Sequence, residues 1–180
     1  KGVIEEFLDK LGITGRKLYR PNSGKTFLHP GRQANIIYNG EVMGYLGEIH
    51  PQVADNYGIG DKTYVAVLDM PVVVKYADFD RKFTGIARFP AVTRDLSMVV
   101  PHEILAGDIE DMIVQRGGKI LESYQLFDVY EGSQIKAGYK SMAYSVVFRA
   151  KDKTLEESEI NTAMKKILNG LSSMGIELRQ

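Results

Sequence analysis

The chain contains no cysteine, so thiolate nucleophiles, thiolate metal sites and disulfide staples are excluded together, and a reducing compartment such as the cytoplasm is favoured. It has only three histidines, His29, His50 and His102, each beside a proline and far from the others. A zinc site needs three or four converging ligands, and no histidine pair at one-turn spacing starts one. Net charge is lacking too: 23 Lys and Arg balance 23 Asp and Glu, so the global field draws in no polyanion and any nucleic-acid site must be local. No apolar run approaches a membrane span, and the N-terminal residues lack the basic and apolar regions of a signal peptide. A Gly-x-Ser-x-Gly elbow, a Walker sequence and Gly-x-Gly-x-x-Gly are all missing, which removes the common frames for a nucleophilic triad and a phosphate cradle. The expectation is a segment with no catalytic residue, metal or cofactor of its own.

What the chain does have is ordinary globular material: 180 residues, 44% hydrophobic, enough for one large domain or two small ones. It starts at Lys1, already inside a helical pattern, and so reads as a segment of a longer polypeptide. Val3, Ile4, Phe7, Leu8 and Leu11 recur at helical steps up to Gly12. After a loop-like stretch around Pro21, the runs 33–38 and 41–46 flank Asn39-Gly40, a dipeptide suited to a type I′ hairpin turn. Pro51 opens a short helix through Asn56, and 63–68 alternates as a strand. From Pro71 to Ala87 the pattern weakens, which places a domain boundary there, with 1–85 on one side and 86–180 on the other. The second part reads as strand 94–100, helix 106–115, strand 120–130, strand 140–149, a helix capped by a Thr154/Glu157 box, and a short strand 176–178. That order is βαββαβ, and the fold class is α+β with a ferredoxin-like second domain.

The charge that could serve a polyanion lies between Lys136 and Lys153, where Lys136, Lys140, Arg149, Lys151 and Lys153 are opposed only by Asp152. A solvated strand edge guarded by lysines explains the same run. In strand 140–149, Met142, Tyr144, Val146 and Phe148 fall on one face and Ser141, Ala143, Ser145, Val147 and Arg149 on the other. The bulky face should meet the helices, leaving a flat face of small residues for a partner of low curvature. Tyr124, Phe127, Tyr130, Tyr139 and Tyr144 are readable as a base-stacking platform or, more simply, as half-buried strand aromatics.

Four phrases sharpen the assignment: Phe89-Pro90-Ala91-Val92-Thr93-Arg94-Asp95-Leu96, Leu126-Phe127-Asp128-Val129-Tyr130-Glu131-Gly132, Lys140-Ser141-Met142-Ala143-Tyr144 and Thr154-Leu155-Glu156-Glu157. In this order they resemble the ferredoxin-fold anticodon-binding domain that ends the β subunit of bacterial phenylalanine–tRNA ligase. In the first half, Lys1 to Leu8, His29-Pro30-Gly31-Arg32 and Gly44 to Pro51 resemble the end of the same subunit's catalytic-like module, a partial class II synthetase-like α+β unit that is catalytically silent. Leu28 departs from that family's pattern, standing between Phe27 and His29 where the phrase should run on directly.

The resemblance implies a heterotetrameric ligase, α2β2, that uses ATP and Mg2+ to attach phenylalanine to its tRNA, with the active site in the α subunit. It implies an α-subunit partner, the anticodon stem and loop of tRNA(Phe) as ligand, a cytoplasmic setting, and no membrane or DNA partner. The residues it suggests for RNA contact are Arg94, Lys136, Lys140, Arg149, Lys151 and Lys153, and for the subunit interface His29 and Arg32. For Arg94 an internal ion pair is an equal alternative. For Arg32 so is a salt bridge to a nearby carboxylate. Two rival functions remain at this stage: an amino-acid-binding regulatory module of the same βαββαβ order, and a purely structural assembly domain.

Overall fold

The computed structural model describes residues 1–60, 62–80 and 85–179, and the chain divides into two compact units, Lys1–Thr84 and Gly85–Gln180. In the first unit the apolar stripe of the opening residues forms α1 (Gly2–Lys10), which buries Leu8. A four-stranded antiparallel sheet follows in the order β1 (Leu18–Pro21), β2 (Leu28–Tyr38), β3 (Glu41–Ile49), β4 (Tyr64–Leu68). Asn39 and Gly40 both take positive φ, 49° and 81°, as a type I′ turn between β2 and β3 demands. Pro51 opens α2 (Pro51–Tyr57), whose cap is His50: its ring accepts the Gln52 amide at 3.2 Å.

Two elements here escape the sequence reading. The stretch around Pro21, read as loop, contains β1; it is an edge strand, where proline's missing N–H leaves no ladder bond unmade. The weak pattern after Pro71 hides α3 (Met70–Tyr76), because Val72, Val73 and Val74 are poor helix formers. Its start signal is nonetheless present: Asp69 caps the helix by accepting the Val72 amide, and Pro71 follows in the first turn.

The second unit is a four-stranded antiparallel sheet in the order β6 (Leu121–Tyr130), β7 (Tyr139–Phe148), β5 (Val92–Pro101), β8 (Glu177–Leu178). The connections run through α4 (Ala106–Gly117), a 3-10 turn (Gly118–Ile120) and α5 (Glu157–Ser173), which completes the ferredoxin-like βαββαβ order. Leu96, Met98 and Val100 of β5 and Met142, Tyr144, Val146 and Phe148 of β7 are buried together with Ile109 and Ile113 of α4 and Ile160, Ile167 and Leu171 of α5. The even-numbered face of β7 therefore meets the helices, as its alternation requires.

The cap of α5 differs from the Thr154/Glu157 box read in the sequence. The helix begins at Glu157, its N-cap is Glu156, and the reciprocal box joins Glu156 to Glu159, whose Oε2 accepts the Glu156 amide at 3.1 Å. Leu155 explains the displacement. It is buried in the same cluster as Ile160, so these two residues staple the entry to the helix from either side of its first turn, and the cap must follow Leu155 rather than precede it.

Candidate nucleic-acid interface

The face of the second sheet turned away from the helices is built from odd-numbered residues of β5 and β7. Ser141 pairs with Val99, Ala143 with Ser97, Ser145 with Asp95 and Val147 with Thr93. The edge strand β6 joins them only because it is irregular. Tyr124 and Leu126 pair with Val146 and Tyr144 on the helix side, and then the register shifts between Leu126 and Asp128. Phe127 becomes the bulged residue, 55% exposed, and the shift moves Asp128 opposite Ala143 and Tyr130 opposite Ser141. Without that extra residue both side chains would point to the other face.

The centre of this face is recessed. Ser141 and Ala143 are only 5% and 8% exposed, so the flat face expected from β7 is a floor of small side chains with taller neighbours on either side. On one side stand Asp128 and Tyr130. From the other, Arg179 follows β8, donates its amide to Ser97 O at 2.9 Å and reaches Ser141 Oγ with Nη1 at 3.4 Å. The Tyr130 ring lies against the backbone of Gly132, where a Cβ would fall 2.1 Å from the phenolic oxygen. Only glycine leaves that space, and it follows the tyrosine by two residues in the phrase Val129-Tyr130-Glu131-Gly132. The floor thus offers a planar ring, a carboxylate, hydroxyls and a guanidinium, which can stack on a base and hydrogen-bond its edge.

The six cations expected at an RNA contact do not share one surface. Strand β7 is ten residues long, about 30 Å, and separates Lys136 and Lys140 at one end from Arg149, Lys151 and Lys153 at the other. Arg94 and Lys140 lie on the helix side by strand parity. Arg94 Nη2 is 2.6 Å from Glu157 Oε1 at the start of α5, an ion pair that joins β5 to that helix. Lys140 Nζ donates to the carbonyls of Ile104 at 2.9 Å and His102 at 3.3 Å, tying down the loop before α4. Arg149 holds Glu122 at 2.9 Å and the Phe89 carbonyl at 3.1 Å. Lys153 is 2.7 Å from Glu159; the lysine's pKa is raised by that bond, and Glu159 is held below the usual carboxylate range by Lys153 first and the Glu156 amide second. Lys136 sits 5.1 Å over the Tyr139 ring, and Lys151 is exposed. Sequence reasoning missed Asp128, Tyr130 and Arg179 as members of one face because strand parity fails across a bulge; the phrase around Tyr130 was visible, its orientation was not.

In the first unit, Leu28 and Gln33 of β2 pair with Ile49 and Gly47, so His29-Pro30-Gly31-Arg32 bulges out opposite the single residue Glu48. Leu28, the departure from the family phrase, is fully buried and anchors the bulge. His29 Nδ1 accepts the Gly31 amide at 3.1 Å. Arg32 Nη1 reaches both carboxylate oxygens of Glu48, at 3.0 and 2.9 Å. That bond chiefly, with a further one from Tyr64, holds the Glu48 carboxyl below its ordinary range, and Glu48 in turn raises the Tyr64 hydroxyl. Among the described residues no group of three His, Asp or Glu side chains is placed to hold a metal ion, and no helix is long and apolar enough to cross a membrane.

A ferredoxin-like domain with a recessed polar face is the class this geometry defines. Residues 87–179 match the model of the ferredoxin-fold anticodon binding domain, so the chain belongs to that family. Residues 1–70 match the CLM domain of the phenylalanyl tRNA synthetase beta chain, so both halves lead to the β-subunit family that the sequence phrases resemble. The chain is 44% identical over 180 residues to a phenylalanine–tRNA ligase beta subunit of Clostridium tetani, 39% identical over 180 residues to that of Clostridium acetobutylicum, and 36% identical over 171 residues to that of Bacillus subtilis. These alignments cover 99%, 99% and 95% of this chain but only 23%, 23% and 21% of the relatives' lengths.

Proposed function

We propose that the recessed face of the second unit receives the anticodon arm of a tRNA, as part of the β subunit of a cytoplasmic phenylalanine–tRNA ligase. The observation that carries this reading is the β6 bulge, which sets Tyr130 and Asp128 beside the Ser141 and Ala143 floor in a domain of the anticodon-binding family. Tyr130 supplies a stacking surface, Asp128 accepts from a base amino group, and Arg179 pairs a phosphate or a base edge. Arg149, at the end of the same face, is the member of the original cation set best placed to join them. Arg94 and Lys140 act instead as internal ties, Lys136, Lys151 and Lys153 add charge at the two ends, and bond-making chemistry belongs to an α subunit using ATP and Mg2+. The exposed bulge holding His29 and Arg32 is the proposed contact with that subunit, because the Glu48 bond fixes Arg32 while its side chain stays 56% exposed.

The test is binding of the 180-residue chain to a tRNA(Phe) anticodon hairpin and to an unrelated hairpin across a salt series. The reading expects preference for the cognate hairpin and a loss of about 1–3 kcal/mol on Tyr130→Ala, the usual worth of one stacked base. Equal binding of both hairpins, or no effect of Tyr130→Ala, would remove the sheet face from the recognition site. Binding of free phenylalanine by this chain alone would favour a regulatory module instead.

A further inference from the structure

On the helix side of the second unit, a cleft of about 410 Å³ opens between the last turn of α4, the 3-10 turn and the first half of α5. Three exposed cations line it from three elements: Arg116 from α4, Lys119 from the turn and Lys166 from α5. The one carboxylate in the lining, Glu159, is already engaged by Lys153 at 2.7 Å and by the Glu156 amide. Arg116 and Lys119 also complement the negative C-terminal end of α4, which is their plain structural use. Lys166 has no such reason to face the cleft, since it sits in mid-helix. Three like charges around one hollow repel one another unless an anion enters.

We propose that this cleft holds a phosphodiester of the RNA chain, a second anchoring point on the opposite side of the domain from the recessed face. The proposal rests on the reading that this unit binds RNA. Its position favours a strand coming from that face: the Arg149 amide donates to the Ile120 carbonyl at 2.8 Å, and Ile120 lines the cleft. A strand leaving the face at Arg149 therefore meets the cleft at the same end of the sheet, without crossing the domain. A phosphate matches the lining better than an acidic peptide does. Ile120 and the small, buried Ala163 are the apolar side chains of its lining, too little to grip peptide side chains, whereas two lysines and an arginine suit a compact anion with two free oxygens.

The test compares the 180-residue chain with its R116Q/K119Q/K166Q triple variant, using a tRNA(Phe) transcript across a salt series. The expected result is a slope of log affinity against log salt that is shallower by roughly 0.7–0.9 for each phosphate released. Lys119→Arg should keep the parent slope, and Tyr130→Ala should weaken binding while leaving the slope in place. An unchanged slope in the triple variant, with the parent binding normally, overturns the cleft and leaves the sheet-face reading intact. A shallower slope in the triple variant together with a silent Tyr130→Ala supports the cleft and removes the sheet face. Absence of any RNA binding by the parent chain overturns both. Should the triple variant fail to fold, Lys166→Gln alone is scored by hydroxyl-radical footprinting, where loss of backbone protection supports the cleft and unaltered protection overturns it.

Discussion

The two units each carry a four-stranded antiparallel sheet, yet they are held together differently. In the second, both strands and helices feed one continuous cluster running from Leu96 to Ile176 and including Tyr144 and Phe148, covered by helices of 12 and 17 residues. In the first, the buried cluster is Leu8, Ile13, Met43 and Val73, under helices of 9 and 7 residues, with Leu28, Ile36 and Ala54 buried outside it, while Tyr57, Tyr64 and Val74 remain 78%, 65% and 67% exposed. Polar ties occur in both units: Arg32 to Glu48, Lys75 and Tyr76 to Glu41, and Lys17 to Asp9 in the first, and Arg94 to Glu157, Arg149 to Glu122 and Lys153 to Glu159 in the second. Hydrophobic burial scales with area removed from water, whereas exposed ion pairs contribute little, so the second unit has the larger intrinsic driving force.

The largest effect that would break this contrast is a cavity in the larger core. Phe148→Ala should cost about 3–5 kcal/mol and shift only the thermal transition of the second unit. A differential scanning trace in which both units move together would show that their stabilities are not separable. A step smaller are two glycine substitutions with opposite expectations. At Gly44, a Cβ would lie 2.2 Å from the Val67 carbonyl oxygen, a backbone atom held by the β3–β4 pairing, so Gly44→Ala should cost about 1–3 kcal/mol in the first unit. At Gly170, the nearest atom is the Met112 sulfur at 2.5 Å, on a flexible side chain, and alanine favours the helix. Gly170→Ala should therefore stay within about 1 kcal/mol of the parent by chemical denaturation.

These same contrasts mark where the sequence was legible. The helices with regular apolar spacing, the Asn39-Gly40 hairpin and the alternation of β7 follow from local rules that tertiary structure did not override. Three features did not follow. The α3 helix was concealed by a β-branched run whose low propensity is outweighed by a cap and by burial of Val73. The α5 cap moved because the core claims Leu155. The candidate site was the least legible, since charge was read as a sequence run: along ten residues of strand such a run spreads about 30 Å and alternates between faces, so Lys140 and Arg149 never meet. Sites assembled from different strands, as Asp128, Ser141 and Arg179 are, leave no run to find.

Acid separates the units further. Glu41 and Glu48 of the first unit are both held below the ordinary carboxylate range, Glu41 by Lys75 and then Tyr76, Glu48 by Arg32 and then Tyr64; in the second, Glu159 is held down in the same way by Lys153. A carboxyl with a lowered folded-state pKa contributes its stability above the unfolded value and loses it as the pH falls through the folded one. The first unit's melting temperature should accordingly fall more steeply on acidification below the usual glutamate range. Glu48→Gln should flatten that acid limb, measured by circular dichroism melts over a pH series. An unchanged limb would show that the Arg32 bond is too solvated to matter.

The smallest expected effect tests the division of labour within the second unit. Lys140 was the natural RNA candidate by charge, yet its ammonium is spent on the carbonyls of His102 and Ile104 at the entry to α4. Lys140→Met keeps most of the stem and removes the donors, so it should lower the stability of this unit by about 1 kcal/mol, the net worth of a partly exposed hydrogen-bond pair. The salt slope of RNA binding should not change, because a cation held by carbonyls on the helix side, at the end of the sheet away from the cleft, neutralises no phosphate at either place. Loss of slope with unchanged stability would reverse the assignment. It would place the RNA across the β5–α4 loop, at the end of the sheet opposite Arg149, and the domain's cations would then have to be divided by strand end rather than by sheet face.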